Sequence, residues 1–264
     1  MLERNVYLHP DLKQYFSSAE PLFDQIMALR GERFRHQDGR MTQRIKLGNK
    51  HYFIKQHTGV GWKEIFKNLL QLRLPVISAE NEWLAIAKLK SVGVDVPVVV
   101  GFGKRGLNPA KLESFIIMEA LAPTISLEDW CQRWQQTPPS FIEKQRLLAI
   151  VARIARLMHQ NGMNHRDFYL CHFLLHQPLD LSLIQLSLID LHRAQIRPTT
   201  PERWVIKDLA GLYFSCKDTL VTQRDFYRFM VIYRKQSLRE IFNTEAVFWQ
   251  KVKARGNTYR DHTQ

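Results

Sequence analysis

The chain has 264 residues, 45% hydrophobic and 11% aromatic, which is enough to bury a core in one large domain or two lobes. Its 38 Lys and Arg against 25 Asp and Glu leave +13, which points to polyanionic partners (nucleic acid, anionic lipid, nucleotide, acidic protein) without choosing among them. Three scattered cysteines, Cys131, Cys171 and Cys216, imply no disulfide framework and suit a reducing cytosol; with no signal pattern and no run of about eighteen apolar residues, a soluble or peripheral protein is expected.

Residues 1–31 read as a lead-in, with a short amphipathic helix in "AEPLFDQIMAL". The segment "ERFRHQDGRMTQRIKLGNKHYFIKQH" holds three short alternating runs, and Gly48-Asn49 suits a tight hairpin turn. In "GWKEIFKNLLQLRLP" the residues Trp62, Ile65, Phe66, Leu69 and Leu70 form one apolar helical face. Lys63, Lys67 and Arg73 lie off that face, and Pro75 ends the segment. A second helix is expected in "SAENEWLAIAKLKSVG", capped at Ser78 and stopped at Gly93. "VPVVVGFG" and "SFIIMEAL" read as strands.

After Glu119 the pattern turns helical. "APTISLEDW" opens one helix, and "FIEKQRLLAIVARIARLMHQNG" is a long one with stop chemistry at Asn161-Gly162. The apolar runs "FLLHQ" and "LSLIDL" bracket a turn, and the basic remainder reads as helical. A β-rich front of 32–119 and a helical back of 120–264 give an α+β chain with the element order of a two-lobed kinase.

"NHRDFYLCHFLLH" concentrates the polar chemistry. Taken alone it suits a phosphotransferase loop, a His/Cys metal site or an ordinary polar loop. The loop follows a long helix and a glycine, and a second carboxylate, Asp190, ends "LSLID". Phosphoryl transfer needs one carboxylate to orient the attacking hydroxyl and take its proton, and another to hold magnesium against the phosphates. Asp167 and Asp190 stand in that order. Lys55, ending "HYFIK", and Glu82, in the pivotal helix, can supply a cation for phosphate oxygens and its brace. Glu80 competes, but Glu82 is better spaced with Ile86 and Leu89. For zinc, His165, Cys171, His172 and His176 lack a second cysteine pair and sit in a strand-like run. His165 is expected to hydrogen-bond backbone behind the loop, and Cys171 to be a small buried side chain.

The segments "YFIKQH", "EIFKNLLQLRLPV", "NEWLAI", "SFIIMEALAPTISLEDW", "NHRDFYLCHFLLH", "LIDLHRAQ" and "RWVIKDLAGLYF" resemble the bacterial lipopolysaccharide core heptose(I) kinases, within the protein-kinase-like fold. The resemblance implies ATP- and Mg²⁺-dependent phosphorylation of the first heptose of the inner core at the cytoplasmic face of the inner membrane. It implies Asp167 as catalytic base, Lys55 and Glu82 as the phosphate-contacting pair, and Asp190 as magnesium ligand. It also implies Glu119–Leu121, hence Glu119 and Leu121, as the adenine-contacting hinge, and Asp208 as a buried anchor of the catalytic loop.

Three departures stand out. His172 replaces the asparagine expected of a second metal ligand and is carried as a metal-site residue that orients Asp167 or a phosphate. Leu191-His192 replaces Phe-Gly. No glycine-rich loop precedes Lys55, so "RHQDGRM" is the only cover for the phosphates, with Arg40 lending charge.

The partners expected are the lipopolysaccharide acceptor, an anionic membrane surface met by segment 61–73, and an acidic protein such as acyl carrier protein met by the C-terminal basic residues. No nucleic-acid module is visible, and a monomer is expected. Rival readings are a kinase of another sugar or small molecule, and a pseudokinase docking an acidic or membrane partner.

Overall fold

The computed structural model describes residues 6–37, 39–70 and 76–259. Asp38, Arg73 and Pro75, and the side chains of residues 35–37 and of Leu69, lie outside the described residues. Most of the expected phosphate cover therefore lies outside them too. The chain divides into two compact units, residues 1–87 with 97–120, and residues 88–96 with 121–264.

The first unit contains β1 (Val6–Leu8), α1 (Pro10–Lys13), α2 (Leu22–Ala28), β2 (Glu32–Gln37), β3 (Arg40–Leu47), β4 (Lys50–Thr58), α3 (Gly61–Leu70), α4 (Glu80–Ser91, its last turn counted with the second unit), β5 (Val99–Arg105) and β6 (Glu113–Glu119). Six antiparallel strands run in the order β1-β5-β6-β4-β3-β2. Gly48, at φ 60°, closes the β3–β4 hairpin, where a Cβ would strike Tyr15 Oη at 2.2 Å.

The lead-in is built into this sheet. Val6–Leu8 pairs with β5, and Phe23 and Ile26 of α2 pack with Ile45, Ile54, Phe115 and Ile117. Two buried glutamines fasten α2: Gln43 Nε2 donates to Gln56 Oε1 at 2.8 Å, and Gln56 Nε2 donates to the Ile26 carbonyl at 2.9 Å. Alternation in "NVYLHP" is too short to reveal an edge strand whose partner lies some ninety residues on.

Only one residue of the apolar face expected on α3 is covered among those described. Ile65 is buried, whereas Trp62 and Phe66 are 51% and 57% exposed and stack on each other at 5.8 Å. Leu70 is exposed as well.

The second unit contains β7 (Thr124–Ser126), α5 (Leu127–Arg133), α6 (Phe141–Gln160), β8 (Met163–Asn164), β9 (Phe173–His176), β10 (Leu186–Leu188), β11 (Gln195–Ile196), α7 (Glu202–Ser215), α8 (Gln223–Arg234) and α9 (Leu238–Thr258). Ser140 caps α6 by accepting the Glu143 amide, and capping boxes start α8 (Thr222, Asp225) and α9 (Ser237, Glu240). Leu147, Val151 and Met158 of α6, Leu209 and Leu212 of α7, Met230 of α8, and Trp249 and Val252 of α9 are buried. Gly162, at φ 75°, ends α6 and passes so close to the Arg197 carbonyl that a Cβ would lie 1.8 Å from its oxygen. That approach lets β8 turn directly out of α6 and pair with β11, delivering the chain to His165.

Candidate active site

In the first unit, alternation along β4 and the 3.6-residue period of α4 bring Lys55 and Glu82 together. Lys55 Nζ donates to Glu82 Oε1 at 2.7 Å, and the Glu82 side chain is only 3% exposed. Glu80 points elsewhere and pairs with Lys104 at 2.5 Å. The Glu80 amide donates to Ser78 Oγ at the start of α4, and Gly93, at φ 78°, follows its end. A carboxylate buried this deeply needs its cation, so the pair fixes the Lys55 ammonium in place. Glu119 contacts Lys50 at 3.3 Å, and its amide donates to the Val98 carbonyl at 2.9 Å. Leu121 accepts from Thr124 Oγ1 through its carbonyl, while its amide has no partner among the described residues.

In the second unit, Asp208 lies on α7 with its carboxylate fully buried beneath the loop. Its Oδ2 accepts the His165 amide at 2.6 Å, and its Oδ1 accepts the Arg166 amide at 2.8 Å. His159 of α6 lies 3.3 Å from Oδ2 and contacts Tyr233 of α8 at 2.9 Å. Phe168 is 1% exposed and packs edge-on against Phe173 at 5.1 Å, and the Leu170 amide donates to Ser215 Oγ. Two carboxylate bonds, an aromatic plug and a hydroxyl thus hold the loop. Arg166, at φ 77°, has left-handed backbone, a strain that such tethering sustains.

Both Asp167 carboxylate oxygens accept from Arg193, at 2.9 and 3.0 Å. His172 Nδ1 sits 2.6 Å from the Asp167 carbonyl oxygen, and its Nε2 lies 3.6 Å from Asp190 Oδ2. Asp190, also left-handed at φ 61°, contacts His192 Nδ1 through Oδ1 at 2.7 Å. The Ile189 amide donates to the His172 carbonyl at 2.9 Å, which holds the Asp167 and Asp190 segments together. His165 Nε2 bonds the Ile189 carbonyl at 3.0 Å, and the ring stacks on His172. Burial pushes the His165 pKa below that of an ordinary histidine, so its imidazole is neutral. His176 faces Ser187 Oγ instead, at 2.9 Å. Cys171 is part-exposed rather than buried, because the turn it occupies lies at the surface.

Residues 24–233 match the profile of the lipopolysaccharide kinase (Kdo/WaaP) family. The chain belongs to that family. Among its relatives is the lipopolysaccharide core heptose(I) kinase WaaP of Escherichia coli K12, 48% identical over 244 residues, 92% of each chain. WaaP of Pseudomonas aeruginosa is 45% identical over 251 residues, covering 94% of this chain and 93% of that one. A solved structure described as WaaP in complex with acyl carrier protein superposes with a TM-score of 0.83 at 38% identity, covering 96% of this chain and 98% of the other. The α+β, two-lobed kinase-like fold is therefore shared with a solved member of the Kdo/WaaP family.

Sequence reasoning passes over Arg193, which holds Asp167, and His192, which holds Asp190. Both stand in "LIDLHRAQ", where a cation three residues after a carboxylate is the available signal. It also misses the aromatic-basic cluster of "RWVIKDL".

Proposed function

We propose that this Kdo/WaaP family member is an ATP-dependent kinase that phosphorylates the first heptose of the lipopolysaccharide inner core. The observation that carries the reading is the Asp167 carboxylate on a loop anchored by Asp208, joined through the hairpin to Asp190. The names borne by relatives 45–48% identical over nearly the whole chain favour heptose as acceptor.

In this reading Asp167 orients the heptose hydroxyl and accepts its proton as the oxygen attacks the γ-phosphorus. Arg193 keeps that carboxylate in one rotamer. Lys55, braced by Glu82, steadies the phosphate oxygens, and the backbone of Glu119–Leu121, with the Leu121 amide that has no partner among the described residues, receives the adenine. Asp190 would hold Mg²⁺. Its carboxylate is a hard, part-exposed oxygen donor, as that ion requires. His172 donates through Nδ1 to the Asp167 carbonyl, and its Nε2 lies 3.6 Å from Asp190 Oδ2, so the two side chains would hold the ion together. The bound metal would neutralise charge on the phosphates; His172 would be its nitrogen-donor neighbour and tie it to the base.

Work at the cytoplasmic face of the inner membrane fits the use of ATP and the exposed Trp62, Phe66 and Leu70 beside Lys63 and Lys67. No helix among the described residues is long and apolar enough to cross a membrane. The double variant Trp62→Ala/Phe66→Ala should bind vesicles containing anionic lipid at least about tenfold more weakly, from the loss of two aromatic contacts. Co-sedimentation that does not change would remove α3 from the membrane contact.

An acidic partner, acyl carrier protein, suits the basic helices and the partner named for the solved relative. Part of that basic charge is neutralised internally, by Arg228–Asp225, Arg234–Glu245 and Lys251–Glu202 pairs. A pocket of about 260 Å³, lined by Leu147, Val151, Leu209, Leu212, Phe226 and Trp249, offers room for an acyl chain.

The experiment is mass spectrometry of unphosphorylated core lipopolysaccharide after incubation with protein, ATP and Mg²⁺. One added phosphate on the inner heptose is expected. Addition to another sugar would make this a kinase of that sugar, and ATP binding without transfer would make it a pseudokinase.

A further inference from the structure

Arg193 meets Asp167 through a single nitrogen. Its Nη1 donates to both carboxylate oxygens, at 2.9 and 3.0 Å. Of the five N–H donors of a guanidinium, that leaves those on Nη2 and Nε. They make no hydrogen bond among the described residues, and the side chain is 34% exposed.

The backbone beneath this side chain is fixed. Arg193 ends the turn Leu191–Arg193, which begins at left-handed Asp190. The Ala194 amide closes that turn on the Leu191 carbonyl at 3.0 Å, and Leu191 and Ala194 are both buried. Gln195 then pairs with Asn164 across β11 and β8. Folding has little need of the ion pair in return. A pair this open adds little to stability, and the loop is already held by Asp208, by Ser215 and by His172 on the Asp167 carbonyl.

One turn therefore supplies two side chains with different directions. Asp190 stays with His192 at 2.7 Å, while Arg193 crosses to the base. In the kinase reading the transferring phosphoryl group passes between those two carboxylates. A hydroxyl in hydrogen-bond reach of Asp167, at about 2.6–3.2 Å, sets the γ-phosphorus about 3–3.5 Å further on. A guanidinium with one nitrogen on the carboxylate spans that separation with its others. The charge it would meet is spread over the equatorial oxygens of the group being transferred.

We propose that Arg193 is a catalytic residue, whose Nη1 stays on Asp167 while Nη2 and Nε donate to the oxygens of the transferring phosphoryl group. The proposal rests on the kinase reading above and deepens it. The acceptor hydroxyl gives its proton to Asp167 as its oxygen bonds the γ-phosphorus, and the bond from that phosphorus to the bridging oxygen breaks to release ADP. Arg193 neither gains nor loses a proton; it holds a fixed positive charge where negative charge gathers.

The test is single-turnover transfer to unphosphorylated core lipopolysaccharide by wild type, Arg193→Ala and Arg193→Lys. Lysine can still place one nitrogen on both Asp167 oxygens but has no second nitrogen to offer. Arg193→Ala should slow transfer by about 10³-fold or more, and Arg193→Lys should stay at least about 10²-fold below wild type. KM for ATP and for the acceptor should change less than about threefold. Free guanidinium should raise the rate of Arg193→Ala at least about tenfold, and methylammonium at equal ionic strength should not. If Arg193 only braces the base, Arg193→Lys comes within about tenfold of wild type, or the two free cations rescue alike. Either result overturns the proposal.

Calorimetry with ADP, Mg²⁺ and aluminium fluoride, a mimic of the transferring group, needs no turnover. Wild type should bind that mixture at least about tenfold more tightly than Arg193→Ala, and both should bind ADP and Mg²⁺ alone equally. A wild type that transfers no phosphate to the lipopolysaccharide refutes the heptose reading, and the fluoride comparison then decides Arg193 for any other acceptor. No difference between the two proteins in that comparison overturns the proposal. Should Arg193→Ala not fold, Arg193→Lys must show both losses, and wild-type behaviour in either one overturns it.

Discussion

Asp167→Asn is expected to lower the rate of phosphate transfer to the inner heptose by about 10²–10⁴ while leaving the fold and KM for ATP unchanged. Asparagine keeps the volume of aspartate but cannot accept the hydroxyl proton. The loop is held elsewhere, by Asp208, Phe168 and Ser215, so the variant should unfold with wild-type cooperativity. Arg193 would keep one hydrogen bond to the amide oxygen in place of two to a carboxylate. Single-turnover transfer, followed by the mass of the product, isolates the chemical step. A rate within about tenfold of wild type would remove Asp167 from the role of base.

Asp208→Ala should be costly in a different way. The carboxylate is fully buried and accepts two main-chain amides at 2.6 and 2.8 Å. Truncation strands both donors, at about 1–3 kcal/mol each, and takes from His159 one of its two partners, leaving Tyr233. A loss of about 3–5 kcal/mol is expected in chemical denaturation, a large share of the stability of an ordinary domain. Asp208→Asn should fall between, because its amide can satisfy one backbone donor but faces the other with hydrogens. An alanine variant losing less than about 1 kcal/mol would mean that water or a rearranged loop replaces the anchor.

Much of the fold can be read from periodicity. The β3–β4 hairpin, the strand carrying Lys55, the helix carrying Glu82 and the long helix before the loop all follow from alternation, a 3.6-residue period or stop residues. Local patterns also order Lys55, Glu82, Asp167 and Asp190 along the chain. What they omit is whatever depends on distant pairing. Val6–Leu8 becomes a strand only because β5 offers it an edge. Arg193 becomes the partner of Asp167 only because the turn after left-handed Asp190 folds back toward the loop. The α3 stripe reads equally as a core face or as an interfacial one, and Trp62 and Phe66 are exposed, since periodicity reports amphipathicity and not what covers it. The cations around Trp204 converge from "HRD", "IRP" and "RWVIK", three segments with no common pattern.

The strand order β1-β5-β6-β4-β3-β2 has a consequence for synthesis on the ribosome. β2, β3 and β4 emerge together, but the neighbour that completes β4 is β6, about sixty residues later. At about 5–20 residues per second that is a delay of roughly 3–12 s. Until then β4 is an open edge, with Tyr52 and Ile54 awaiting cover, and β1 has nothing to pair with before β5 emerges. The nascent first unit is therefore most prone to sticking between emergence of residues 58 and 119, and slower translation across "VPVVVGFG" would lengthen that exposure.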